Sequence, residues 1–585
     1  MTQDQQIGSI LLADCGTVMT KVVLLDRVGD QYRLIAHGEA PTTAEAPWSD
    51  VTIGIAHAAE EITAITGYNL FDGSGNLICP EMADRQGVDA FAATVSAGRP
   101  LQVVIGGLVR DMSVAAAERA AAGTYSLVEA IFSSERRGML SEEDIIHTIH
   151  AAAPDVICIT GGVDGGATNP VLELVNTCSL ACALIDQQQR PILLYAGNSD
   201  LRRRVAGIVG KRAELRAVDN VRPSLTQDDL GAARAELDAL YLKKMGTLPG
   251  IETVSSWSPI PLTPTAQALG RLVEYLWRLG NPESGVLGVD VGAANTTIAA
   301  VFDGQLFLTV RSGLGVAFGG EQLLQRHGTG VITRWMPEQI DDGQVHQLLL
   351  NKELHPASIP QVQRELWVEQ ALAREAIRAT WKIARPGWEP GAAQLYSHLS
   401  PLCDTILVSG GVLAHAPHPG QAALIVLDAL QPIGITTLVL DRHGLAPLLG
   451  SAAALKPLAA VETLDSGGFV NLATVVTPVE GHARRGDTIL KVDVTYKDKS
   501  SFSVEVHYGD LEVLPLQPGQ QAELDLHPLR HFDVGLGGPG KGGKRRVNGG
   551  LAGLIIDARG RPLRISSNSE RRQSQMQQWR WDVGG

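Results

Sequence analysis

The chain has little cysteine, few aromatics, no long apolar run and no excess of positive charge. Its six cysteines are scattered, and Cys178 and Cys182, four apart, have no histidine nearby. That pattern argues against a disulfide framework or a zinc site and fits a reduced, cytoplasmic protein. No apolar stretch reaches the ~18 residues a membrane span needs, and MTQDQQ lacks the positive n-region of a signal peptide. Aromatics make up 5% of the 585 residues, and 49 Lys and Arg stand against 63 Asp and Glu. A formal charge of −14 discourages a general polyanion partner, so nucleic acid is not expected. What remains is a large globular protein of several units, 44% hydrophobic and rich in glycine.

Self-similarity is the informative positive feature. Residues 11–23 read LLADCGTVMTKVV and residues 287–299 read LGVDVGAANTTIA. In each, an apolar strand ends in Asp, a glycine follows two residues on and a threonine six residues on: Asp14, Gly16, Thr20 and Asp290, Gly292, Thr296. Each copy predicts a second strand, a turn (residues 26–30; Asp303-Gly304) and a third strand. A second pair of matches, VICITGGV at 156–163 and TILVSGGV at 405–412, suggests that the repeat continues through Gly161-Gly162 and Gly410-Gly411.

A strand ending in Asp-x-Gly offers a carboxylate at the carboxyl edge of a sheet, where α/β folds place ligands. Glycine lets backbone N–H groups approach a phosphate. Thr17, Thr20 and Lys21 add donors to the first loop, and Asn295 and Thr296 to the second. Asp14 and Asp290 are hard oxygen groups suited to a hydrated Mg²⁺ that bridges phosphates. Either Asp could instead be an ordinary turn or cap residue, although their matched contexts argue against that. Histidine pairs at 147/150 and 415/418 lack a third ligand at metal spacing. GPGKGGK at 538–544 imitates a phosphate loop but has Arg545 where Ser or Thr is required.

The layout resembles the actin-like ATPase superfamily. It would have a first phosphate loop at 14–21, a second at 290–297 and an adenosine motif at 406–414 that includes Gly410 and Gly411. Gly319-Gly320-Glu321 resembles the element that follows the second loop in Hsp70-type proteins. A closer match is to the glutamate (methylaspartate) mutase accessory family, called MutL and unrelated to mismatch repair. DCGTVMTK (14–21), TGGVDGG (160–166), YAGN (195–198), NVRPSL (220–225), VDVGAANTT (289–297), FDVGLG (532–537) and IIDARGRPL (555–563) carry it. The resemblance implies an α/β fold of two duplicated actin-like (ribonuclease-H-like) halves. It also implies ATP and Mg²⁺ as cofactors, Asp14 and Asp290 as catalytic and metal-holding residues, and an adenosylcobalamin-dependent mutase as partner. The chain would act as a chaperone or reactivating factor. A small-molecule enzyme of the kinase or hydantoinase type, or a nucleotide-ordered scaffold, shares the loops. Ala293-Ala294-Asn295, where relatives carry glycines or small hydroxyl residues, suggests slow hydrolysis.

Pattern places a first half with insertions at 1–275, a second half at 280–462 and, at 468–585, an all-β barrel or sandwich. Residues 530–585 hold 11 basic and 4 acidic residues, a balance of +7 that leaves −21 for the rest. Lys541, Lys544, Arg545 and Arg546 are expected in a mobile glycine-rich loop able to dock on an acidic protein surface.

Overall fold

A computed structural model describes residues 7–82, 85–135, 140–388 and 396–585. Strands β1 (Ile10–Cys15), β2 (Met19–Val28), β3 (Gln31–Pro41) and β4 (Ala90–Val95) come first. They are followed by β5 (Leu101–Gly107), β6 (Ser126–Ser133), β7 (Val156–Ile159), β8 (Ile192–Tyr195), β9 (Leu215–Ala217) and the short β10 (Thr263–Pro264). The next set is β11 (Gly285–Val291), β12 (Asn295–Phe302), β13 (Gln305–Ser312), β14 (Cys403–Ser409) and β15 (Gly434–Asp441). The last is β16 (Phe469–Thr477), β17 (Thr488–Tyr496), β18 (Ser501–His507), β19 (Leu511–Leu514), β20 (Gln521–Pro528), β21 (Gly543–Asn548) and β22 (Leu554–Asp557).

Two sheets carry the repeat. The first is ordered β10-β4-β1-β2-β3, and the second contains the run β15-β14-β11-β12-β13. β1 pairs antiparallel with β2 and parallel with β4, and β11 does the same with β12 and β14. Each fifth strand leads into a helix, Thr265–Leu279 after β10 and Leu445–Leu455 after β15. These helices pack face to face, and a side chain at Gly450 would collide with the Ala268 carbonyl. Leu269, Leu272, Leu445, Leu448 and Leu449 from the two helices share one core with Ile10 and Leu12 of β1. This is the duplicated actin-like arrangement, built on one topology used twice.

Residues Gly98–Leu248, with Thr309–Gly313, cluster as a separate compact unit; Met1–Ala97, Pro249–Leu308 and Leu314–Gly585 form the other. Within the smaller unit, β6-β5-β7-β8-β9 is an all-parallel sheet buried by helices, as its continuous apolar strands require. This corrects the second pairing of motifs. VICITGGV belongs to β7 of this sheet, whereas the strand that occupies beside β1 the place of β14 beside β11 is β4, AFAATV. A buried strand followed by glycines is a common feature of parallel sheets and does not by itself report common descent.

Past residue 468, β16, β22 and β19 extend the second sheet, and β18-β17-β20-β21 form an extra four-stranded antiparallel sheet. Lys544, Arg545 and Arg546 lie on β21 rather than in a mobile loop. Cross-strand partners fix them there: Lys544 stands opposite Asp525 and Arg546 opposite Glu523, and Lys544 Nζ is 2.9 Å from Glu523 Oε1. Helix Ser569–Asp582 was not apparent in the sequence; it is polar on nearly every face and buries only Met576 and Trp579.

Candidate functional site

The larger unit contains every residue of the two loops. β1 ends at Asp14-Cys15 and β11 at Asp290-Val291, and each is followed by the same tight reversal. Gly16 N–H donates to the Met19 carbonyl at 3.1 Å, and Gly292 N–H to the Asn295 carbonyl at 2.9 Å. In register, Asp14 faces Lys21 across the first hairpin, and Asp290 faces Thr297 across the second. The repeat therefore differs at one informative position, since only the first loop supplies a cation there.

Asp14 Oδ1 accepts hydrogen bonds from Thr94 Oγ1 at 2.7 Å and Thr265 Oγ1 at 2.8 Å. Those hydroxyls come from β4 and from the start of the helix after β10, and both escaped the sequence reading. Burial raises the Asp14 carboxyl above its ordinary range, against the pull of these two bonds and of Lys21. Burial also pushes Asp290 up to about 6, opposed by Lys21 and by Ser409 and reinforced by the charges of Asp14 and Asp441. Burial works against the charge on Lys21, yet Glu39, Asp441, Asp14 and Asp290 together hold the ammonium above its usual range.

Asp441, at the end of β15, is the main functional candidate that sequence reasoning missed. It has no counterpart in the repeat; the available signal was a strand-end Asp four residues before an apolar helix. Its carboxylate is fully buried and accepts from Leu445 N–H and Ala446 N–H at 2.8 Å and from Ser409 Oγ at 3.1 Å.

The hydroxyls expected to serve as donors are used locally. Thr17 Oγ1 donates to the Ser96 carbonyl at 3.1 Å, Thr296 Oγ1 to the Leu314 carbonyl at 2.9 Å, and buried Thr20 lies 3.5 Å from Thr42 Oγ1. Residues 314–318 strap the second loop: Val316 N–H bonds Gly292, and Ala317 and Phe318 N–H bond Ala293. That strap brings Gly319 and Gly320, at the head of helix Gly320–His327, toward the loop. Glu321 instead holds His346, Oε2 to Nδ1 at 2.9 Å. Gly410, at φ +109°, closes against the second loop, where any Cβ would collide with the Val291 carbonyl. Gly411 opens the four-residue helix Gly411–Ala414.

Three further motifs meet in the smaller unit. Residues 160–166, 195–198 and 220–225 follow β7, β8 and β9. Asp164 Oδ1 accepts from Ser199 N–H at 2.9 Å, Ser199 Oγ at 2.6 Å and Asn220 Nδ2 at 2.9 Å, which holds its carboxyl low despite partial burial. These bonds tie the three segments together at the carboxyl ends of β7, β8 and β9.

IIDARGRPL has a separate structural role. Arg559 is buried, with Nε 2.8 Å from Asp557 Oδ1 and Nη1 2.8 Å from Asp428 Oδ1, and it stacks 4.5 Å from the Trp579 ring centroid. Arg374 and Arg561 complete the cluster, at 2.8 Å from Asp428 and 2.6 Å from Asp557.

Among the described residues no three His, Cys, Asp or Glu side chains gather into a closed metal cage, and no helix is long and apolar enough to cross a membrane. Two carboxylates with open positions suit Mg²⁺, which keeps several waters and shares phosphate oxygens rather than sitting in an all-protein cage. The donor set fits that ion, since one lysine faces four carboxylates.

Comparison with known proteins agrees with the motifs. Protein MutL of Clostridium tetanomorphum is 24% identical over 443 residues, covering 71% of this chain and 88% of that one. Among solved structures, xylulose kinase from Bifidobacterium adolescentis aligns at 13% identity and TM-score 0.29, covering 79% of this chain and 94% of that one. Glycerol dehydratase reactivase aligns at 10% and TM-score 0.30, covering 77% and 100%. At such scores the fold rests on the repeated strand order and not on these neighbours. The family model described as MutL protein matches residues 10–467, and the chain belongs to that family.

Proposed function

We propose that the two-loop cluster binds Mg²⁺–ATP and that the chain is a slow ATPase serving an adenosylcobalamin-dependent mutase of the glutamate mutase type. The observation that carries the nucleotide reading is the meeting of Asp14, Asp290 and Lys21 in one partly buried cluster on two matched hairpins. Asp14 and Asp290 would hold the ion, which supplies charge neutralisation to phosphate oxygens. Thr94 and Thr265 fix the Asp14 carboxylate, and Lys21 offers an ammonium to phosphate. Gly410 keeps backbone close to the second loop, and Gly319, Gly320 and Gly411 would serve the nucleoside side. Ala293-Ala294-Asn295 makes that loop less permissive than one rich in glycine, which favours binding over rapid turnover.

MutL membership supports the partner assignment, and the exposed Lys541, Arg545 and Arg546 are suited to an acidic protein surface. Their neighbours Arg559 and Arg561 are internal, so the docking charge is smaller than the +7 of the segment. The test is ATP hydrolysis by the full chain with and without a purified B12-dependent mutase, for the wild type and Asp290→Ala. Stimulation by the mutase that is lost in Asp290→Ala supports the reading. Stimulation by a metabolite and by no mutase would replace it with a small-molecule enzyme.

A further inference from the structure

The four carboxylates around Lys21 are unequal in freedom. Asp441 is immobilised: its two oxygens take the Leu445 and Ala446 N–H groups and the Ser409 hydroxyl, so its charge is fixed in place. Asp14 is held by two threonines. Lys21 is the movable member, a point charge on a flexible four-carbon stem. Its Nζ stands 3.7 Å from Glu39 Oε1, longer than the ~2.8 Å of a charge-assisted hydrogen bond, so Glu39 does not hold it alone. It also packs on the backbone of Gly444, where a Cβ would come within 2.6 Å of Nζ. That residue is a glycine at φ +66° between Asp441 and the helix it caps, and it leaves room for an ammonium. The second hairpin has Thr297 in the register position of Lys21 and brings no cation.

We propose that Lys21 is the built-in counter-ion of the two-loop cluster and that Asp441 is the positioning residue that parks it there until a divalent cation takes over Asp14 and Asp290. This rests on the Mg²⁺–ATP reading for the identity of the displacing ligand. The carboxylates outnumber the single ammonium and leave the cluster net negative, so metal-free ATP is repelled and nucleotide entry is tied to the cation. Displacement from Asp441 then delivers Lys21 to the phosphates, coupling β15 to the β1–β2 hairpin.

The experiment melts the full-length wild type, Lys21→Met, Lys21→Arg and Asp441→Asn in chelator and in millimolar Mg²⁺, without nucleotide. In parallel, a fluorescent ATP analogue is titrated with and without Mg²⁺. Lys21→Met is expected to melt about 2–4 °C below wild type in chelator and to regain the loss in Mg²⁺, while Lys21→Arg follows the wild type. Asp441→Asn keeps an acceptor at the helix cap, and the ratio of its affinities with and without Mg²⁺ is expected to fall at least about threefold. An unchanged ratio in Asp441→Asn, or a Lys21→Met protein that melts and responds to Mg²⁺ like the wild type, overturns the proposal. If Lys21→Met fails to fold, Asp441→Asn decides alone. Mg²⁺ rescue of Lys21→Met without analogue binding by the wild type would keep the counter-ion and remove the nucleotide; analogue binding without rescue would do the reverse.

Discussion

Two charge clusters in the same compact unit, one buried and one partly exposed, are built on opposite rules. Behind the second sheet, Arg374, Arg559 and Arg561 face Asp428 and Asp557 at 2.6–2.8 Å, nearly balanced and covered by Trp579. In the two-loop cluster, one ammonium faces Asp14, Asp290, Asp441 and Glu39. A nearly balanced cluster whose guanidiniums and carboxylates pair with one another is complete within the chain. An unbalanced one lacks a positive partner, which is the signature of a ligand site.

Breaking the rear cluster should have the largest effect. Asp428→Ala leaves two guanidiniums without their shared partner, and a loss of about 3–5 kcal/mol is expected in denaturant melts, with or without Mg²⁺. Asp290→Asn should act in the opposite direction. Removing one of four crowded carboxylates is expected to raise metal-free stability by about 1 kcal/mol, given its partly exposed position, while abolishing Mg²⁺-dependent nucleotide binding.

The two clusters should also respond to pH with opposite signs. Burial lifts Asp290 from its ordinary value to about 6, so the folded state binds that proton more tightly. Its contribution to metal-free stability therefore falls as pH rises through the interval up to about 6. Burial opposes the charge of Asp557, but Arg559 and Arg561 outweigh it and hold the carboxyl far below the usual range. Its contribution is present above the ordinary carboxylate pKa and is lost as pH falls below it. Melting temperature against pH should lose its decline toward pH 6 in Asp290→Asn and keep it in Asp557→Asn. The smallest expected effect is that of Lys544→Ala on β21, within about 0.5 kcal/mol, because its pair with Glu523 is exposed.

The cleft loops were legible in sequence because Asp-x-Gly at a strand end recurs in matched context, and the hairpin turns at 29 and 303–304 follow local backbone preference. Strand segments past residue 468 were legible from alternation. Asp441, Thr94 and Thr265 were not, because each belongs to the site through sheet order and has no repeated neighbour to mark it. The match of Gly161-Gly162 with Gly410-Gly411 failed because a buried parallel strand ending in glycine is generic. Lys544–Arg546 read as a loop because their partners on β20 lie some twenty residues away. The helix Ser569–Asp582 has almost no apolar period, and Trp579 is buried by tertiary contacts with Arg559 and the core behind it.

The most direct test of the central claim is calorimetric titration of Mg²⁺–ATP into the full-length chain and into Asp14→Asn and Asp290→Asn. A single site in the wild type that is absent from both variants, with their folds intact by melting, is the expected result. Equal binding by all three proteins, or none by the wild type, would contradict it.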